Sequence, residues 1–377
     1  MSREPQGRPS GDPAAPRRSS RRAQGWRLGV VVVAVTGLLA GCGGGALSGA
    51  DAAPGASASS AASPAASVPD DESGSTGKHV VSRTMAEGMG STQADGVFPR
   101  TVTHYLGTTE VPAAPQRIAV VSTGQLDALL TLGHVPVAAT VAESNALVPE
   151  YLAQAFPADT AALASMTSIG TRTEPDVEAI AQAKPDLILI NSTRGKDYYA
   201  ALSAIAPTVV TLGNGVNWKS DFLLLADALG QEGDAQEVLD GLHRDAAAYA
   251  AKLPAGKAAP TVSFLQSTGD RTRIMGLPSF TGGVAEDLGL GRPASQQFDE
   301  TSQDVSAEQL DLADADWIFY AAAGDGVQLI TGSALWPGLS AVKAGHAVQV
   351  PLEPFYLNAG PTAARLVQDT ITKTVTP

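Results

Sequence analysis

Cysteine occurs once in this chain of 377 residues, aromatic residues make up 5%, and 25 basic residues face 38 acidic ones. Each shortage excludes something. One cysteine cannot close an intramolecular disulfide or build a multi-cysteine metal cluster. A formal charge of -13 disfavours nucleic acid or an anionic membrane surface as the main partner of the folded part. No strand-to-helix turn carries a GxxxxGKS/T or GxGxxG loop, the nearest runs being GNG at 213–215 and TGG at 281–283, so nucleotide chemistry is disfavoured. GxSxG, HExxH and HxE with PCxxC are missing too, and the five histidines, His79, His104, His134, His243 and His346, are scattered with none at metal-ligand spacing. Acidic residues are plentiful but present no recognisable acid–base pair, so no catalytic residue and no metal site are assigned, and the chain reads as a non-enzyme.

Long apolar runs are also scarce. The best one, LGVVVVAVTGLLAG at 28–41, follows seven arginines and only two acidic residues, Glu4 and Asp12. As a helix it would span about 21 Å against the roughly 30 Å of a bilayer core, which predicts a cleaved leader rather than a permanent span. It ends in Leu39-Ala40-Gly41-Cys42, which resembles a bacterial lipobox, so the lone cysteine is expected to carry the lipid anchor. Arg21-Arg22 after Ser20 is similar to a twin-arginine signal, although Gln24 departs from that pattern. Removing residues 1–41 leaves 18 basic against 36 acidic residues, a net charge of -18. Residues 42–99 are rich in Ala, Ser, Gly and Pro, without helical or strand period, and read as a flexible tether that holds a module off the membrane. Export and the missing second span put everything after Cys42 on the extracytoplasmic face of the cell membrane.

From position 101 onward, apolar strands alternate with helical stretches. The predicted strands are IAVVS at 118–122, PVAATV ending at 141, DLILIN at 186–191, TVVTL at 208–212, TVSFLQ at 261–266 and DWIFYA at 316–321. This alternation predicts an α/β fold of parallel sheets with helical crossovers. Two helical stretches, 218–229 and 234–253, are separated at Gly230 and ended by Pro254-Ala255-Gly256. They divide the chain into an N-terminal α/β lobe at 100–230, a connecting helix at 231–256 and a C-terminal α/β lobe at 257–377. A single doubly wound sheet with a helical insertion is the alternative.

The order of short motifs then carries a resemblance. His104-Tyr105-Leu106-Gly107, Arg117-Ile118-Ala119-Val120, Ile169-Gly170, Glu174-Pro175-Asp176-Val177-Glu178-Ala179-Ile180, Lys184-Pro185-Asp186-Leu187-Ile188, Phe280-Thr281-Gly282-Gly283, Asp287-Leu288-Gly289-Leu290 and Ser306-Ala307-Glu308-Gln309-Leu310 follow one another at familiar spacing. Over nearly the whole folded part, the chain resembles the lipid-anchored substrate-binding proteins of ATP-binding-cassette (ABC) importers for iron–siderophore, haem or cobalamin. The resemblance implies two Rossmann-like α/β lobes joined by a long rigid helix, with ligand in the cleft between them. It also implies a monomer without a cofactor of its own, iron arriving only inside the siderophore, and a permease that reads one carboxylate from each lobe. By motif position these are Glu178 and Glu308. Both lie early in predicted helices, where a carboxylate favours the amide end of the dipole, and Ser306 with Gln309 forms a capping-box pattern.

Ligand is expected at strand ends and the loops that follow them. Guanidinium groups offer several directed donors to anionic chelate oxygens, and aromatic rings offer flat contact area. The candidates are therefore Arg172, Arg194 and Tyr198 in the first lobe, Trp218 heading the connecting region, and Arg273, Tyr320 and Tyr356 in the second. The expected function is capture of a ferric siderophore and delivery to the permease. Haem or corrinoid binding on the same architecture is the first alternative, and an extracellular enzyme the second.

Overall fold

Two five-stranded sheets carry the fold in a computed structural model that describes residues 82–376, except 142–145, 214, 257 and 270. The leader, Cys42 and most of the tether lie outside the described residues. A hairpin opens the described chain, β1 (Arg100–His104) pairing antiparallel with β2 (Gly107–Val111). Next come β3 (Ile118–Val120), β4 (Ala138–Val141), β5 (Thr167–Thr171), β6 (Leu187–Asn191) and β7 (Thr208–Thr211), a fully parallel sheet in the order β5-β4-β3-β6-β7. Both faces of this sheet are covered, which is why its strands read as unbroken apolar runs. Leu187 and Leu189 of β6 enter the main core, whereas Ile188 and Ile190 point into a second core beneath Tyr198 and Leu202.

The second sheet comprises β8 (Val262–Thr268), β9 (Arg271–Met275), β10 (Ser302–Val305), β11 (Trp317–Ala322) and β12 (Ala347–Gln349), in the order β10-β9-β8-β11-β12. Here the structure departs from the expected all-parallel pattern. Strands β8, β11 and β12 are parallel, but β9 and β10 run antiparallel to their neighbours. The reason is length: β8 and β9 are joined by a tight turn at Gly269, whose φ is +61°, and such a connection allows only a hairpin. Val262, Phe264 and Phe319 join the same main core as the first lobe's Leu187 and Val209, so the two lobes share one apolar interior.

Two helices, Trp218–Leu229 and Glu232–Ala250, link the lobes. The connection is thus two rods with a break, and the break falls at Gly230, which ends the first helix in a left-handed conformation with φ of 73°. Lys219 on the first rod is almost fully buried, and its Nζ donates to Asp287 Oδ2 at 2.5 Å and lies 2.9 Å from His243 Nε2. Asp287 belongs to the Phe280–Asp287 helix of the second lobe, so this pair ties the lobes together. Residues 82–99, read from composition as the end of the tether, are packed rather than loose. Arg83 reaches Asp287 at 3.1 Å, Ser91 donates to Asp227 at 2.7 Å, and Asp95 accepts from the amides of Glu232 and Gly233. A few polar side chains seated on helices order this segment, and they leave no periodic trace.

The chain closes with the Pro361–Thr374 helix, which packs against the helices Thr123–Thr131, Glu232–Ala250 and Phe280–Asp287. Its start is capped from the other lobe. The buried Asp127 accepts from the backbone amides of Thr362 and Ala363, both at 2.9 Å, and from the Tyr151 hydroxyl at 3.1 Å. Among the described residues no helix is long and apolar enough to cross a membrane.

Candidate functional site

The carboxyl ends of the parallel strands in both sheets face a common cleft, which holds two adjoining cavities. The outer one, about 750 Å³, is lined from the first lobe by Glu150, Tyr151 and Arg172, and from the second by Gln266, Arg273 and Glu353. Arg172 follows the last residue of β5, is exposed, and also borders the inner cavity. Arg273 sits mid-strand in β9 with its side chain 29% exposed, its Nε 3.5 Å from Asp304 Oδ1. Arg271, two residues earlier and on the same face, engages Asp304 at 2.7 Å and holds that carboxylate to one side. Two arginines predicted from separate motifs are thereby brought to one cavity from opposite lobes.

The inner cavity, about 180 Å³, is walled by Trp218, Phe222, Phe280 and Phe355, with Gln125, Asn191, Thr211, Asp221 and Thr281 among its polar members. Trp218 stands edge-on to Phe280, ring centroids 5.8 Å apart. Tyr356 also borders it, but its hydroxyl is already committed: it donates to the Phe319 carbonyl at 2.7 Å and accepts from the Leu265 amide at 3.2 Å. Burial raises the Tyr356 phenol well above its ordinary range. This residue supplies a ring face to the cavity, not a free hydroxyl.

Three candidates lie elsewhere. Arg194 is the third residue of the Ser192–Ser203 helix, where its backbone amide donates to Asn191 Oδ1 at 3.2 Å, and its side chain lines neither cavity. Tyr198, one turn on, packs over the outer core of the first sheet. Tyr320 stands edge-on to Trp336 at 5.1 Å, between the two small cores on the far side of the second sheet. A strand end points at the cleft, but the helix that follows it turns away.

Gln125, Asn191, Thr211, Asp221, Gln266, Thr281 and Glu353 also line the two cavities and were not among the expected residues. For three of them a signal existed: Asn191, Thr211 and Gln266 are the polar residues at or near the ends of β6, β7 and β8, where an apolar run gives way to the cleft. Among the described residues, no group of three His, Cys, Asp or Glu side chains gathers as a metal site requires.

Glu178 and Glu308, expected from the resemblance as permease contacts, are both exposed. Glu178 lies in the first turn of the Val177–Ala183 helix, capped by Asp176, and accepts from Gln182 Nε2 at 3.3 Å. Glu308 lies in the 3-10 turn Ala307–Ala313, where the Ser306–Gln309 capping box is formed. Its own backbone amide and the Ser306 hydroxyl hold the Glu308 carboxyl below the usual range.

The family model described as "Periplasmic binding protein" matches residues 118–353. The "Probable siderophore-binding lipoprotein YfiY" of Bacillus subtilis (strain 168) is 32% identical over 302 residues, covering 76% of this chain and 90% of its own. The "Fe(3+) dicitrate-binding periplasmic protein FecB" of Escherichia coli (strain K12) is 28% identical, covering 73% and 90%. Among solved structures, Staphylococcus aureus SirA complexed with staphyloferrin B superposes with a TM-score of 0.63 at 26% identity, over 72% of this chain and 97% of that one.

Proposed function

This chain belongs to the periplasmic binding protein family, and we propose that it is the extracytoplasmic, lipid-anchored receptor that captures a ferric siderophore for an ABC importer. It is a solute-binding protein and not an enzyme. The observation that carries the reading is the meeting of Arg172 and Arg273 from opposite lobes at one cavity. Carboxylate, catecholate and hydroxamate oxygens around Fe³⁺ are anionic acceptors, and guanidinium groups meet such oxygens with paired, charge-assisted donors. The iron stays within its chelate and is cargo. The acidity of the whole molecule does not oppose this, because a cleft focuses the field of the charges nearest to it. Relatives and neighbours whose names specify ferric dicitrate and staphyloferrin B support the same ligand class.

Cys42 in the LAGC motif is the proposed point of lipid attachment. Glu178 and Glu308, exposed and one on each lobe, are the proposed contacts with the two permease subunits. Their support is position: each is a first-turn carboxylate outside the cleft, available whether or not ligand is bound.

Titration with citrate-type, hydroxamate and catecholate ferric chelates, followed by tryptophan fluorescence, should give saturable quenching with at least one class. Trp218 at the inner cavity is the expected reporter. Arg172→Gln and Arg273→Gln should each weaken that binding by about tenfold, the loss of one charge-assisted contact. No saturable response with any class would overturn the assignment.

A further inference from the structure

The outer cavity is bordered by two arginines, but the inner one is different in kind. Among the described residues, Arg172 at the shared edge is the only cation lining it, while Asp221 places a carboxylate in its wall. Asp221 Oδ1 and Oδ2 accept from the amides of Leu212 and Gly213 at 2.9 and 2.7 Å. These are neutral donors, and among the described residues no cation pairs with this carboxylate. The Gln125 side chain, 6% exposed, donates through Nε2 to Thr211 Oγ1 at 3.0 Å and leaves Oε1 without a hydrogen-bond partner. Across the chamber Thr281, fully buried in the second lobe, has an unpartnered Oγ1. Unpaired buried acceptors and an uncompensated carboxylate are costly, and here they come from both lobes to one space walled by Trp218, Phe222 and Phe280. What would satisfy them is a donor with positive charge, narrow enough to pass between aromatic faces.

We propose that the inner chamber is a subsite for a primary ammonium group borne on an arm of the ferric chelate, with Asp221 as its counter-ion and Gln125 Oε1 as its acceptor. The inference rests on the siderophore reading and deepens it. The ligand is then bipolar: its anionic metal centre lies against Arg172 and Arg273, and its cationic arm reaches inward past Arg172. The aromatic walls add favourable contact with an alkylammonium and exclude solvent that would otherwise weaken the pair.

The test uses matched pairs of ferric chelates, each with a free primary amine in one member and the N-acetylated amine in the other. One pair is built on a linear trihydroxamate and one on a citrate-type core. Affinity for the mature protein is measured at pH 8 by tryptophan quenching and by calorimetry. For a pair that binds, the free-amine member should bind about tenfold more tightly, as a hydrogen-bonded charge pair contributes. Gln125→Leu and Asp221→Asn should each bring the ratio of the two affinities down toward one. Equal affinity of the two members for the unaltered protein, or a preference that survives both substitutions, overturns the subsite and leaves the siderophore reading standing. A chelate-bound crystal structure with only water in the inner chamber does the same. If no chelate of any class binds, the siderophore reading fails and the subsite falls with it.

Discussion

Asp221 is the residue whose titration the fold changes most usefully. Burial pushes its carboxyl from 3.8 up to about 7, against the pull of the Gly213 and Leu212 amides. The group that faces it, the Tyr105 phenol, is pushed up to about 12 by burial and by Asp221 itself, and so stays protonated across this range. The folded state therefore holds the Asp221 proton more tightly than the unfolded chain does. Its contribution to stability is full below about pH 4 and is lost as pH rises through about 7. Asp221→Asn cannot titrate, so its melting temperature relative to the unaltered ligand-free protein should rise between pH 5 and pH 8. A difference that is flat with pH would show that Asp221 ionises normally. Residue by residue, the legible part of the site was its charge. Arg172 and Arg273 stood out as cations beside strand ends, whereas Arg194 stood out equally and the Ser192–Ser203 helix carries it away from the cleft. Gln125 and Thr281 gave no signal, because an unpartnered oxygen becomes visible only when the opposing lobe is in place.

At the scale of elements, the Pro361–Thr374 helix depends on a carboxylate it does not own. Gly360 precedes it so closely that a Cβ there would lie 2.6 Å from Asp127 Cγ. Asp127→Ala should cost about 2–4 kcal/mol, since two helix amides and the Tyr151 hydroxyl lose their acceptor. Gly360→Ala should act through the same contact by displacing Asp127, and the double variant should lose less than the sum of the two. Urea unfolding measures all three, and strict additivity would show that the glycine matters for another reason. Six of the ten strands of the two sheets, β3, β4, β6, β7, β8 and β11, were readable from apolar runs, and the break at Gly230 from the residue alone. The hairpin of β8 and β9 was not separated in advance, because Arg271–Met275 carries two arginines and lacks the apolar run of β8, although it pairs on both sides. The Asp95 cap on the Glu232–Ala250 helix was invisible for a related reason: it comes from 137 positions away.

For the whole molecule, ligand capture and delivery should be separable. Reversing charge at Glu178 and Glu308 together should leave chelate affinity within about twofold, because exposed carboxylates outside the cleft contribute little to a distant site. Chelate uptake by cells should fall to near background, as charge complementarity governs docking and encounter. Normal uptake by the doubly reversed protein would remove these residues from the interface. Bilobal architecture was legible because helices and strands alternate in two blocks. The shared apolar interior was not, since contacts between blocks have no period to betray them.

The Asp127 cap also fixes an order of events. Its two backbone partners lie 235 and 236 positions further along the chain, so during synthesis the first lobe lacks a buried partner until that helix has been made. That lobe cannot finish until the Pro361–Thr374 helix is available to it, and closing so long a loop makes that step slow. A chain stopped before Pro361 should therefore be found as a protease-sensitive intermediate rather than as a smaller receptor.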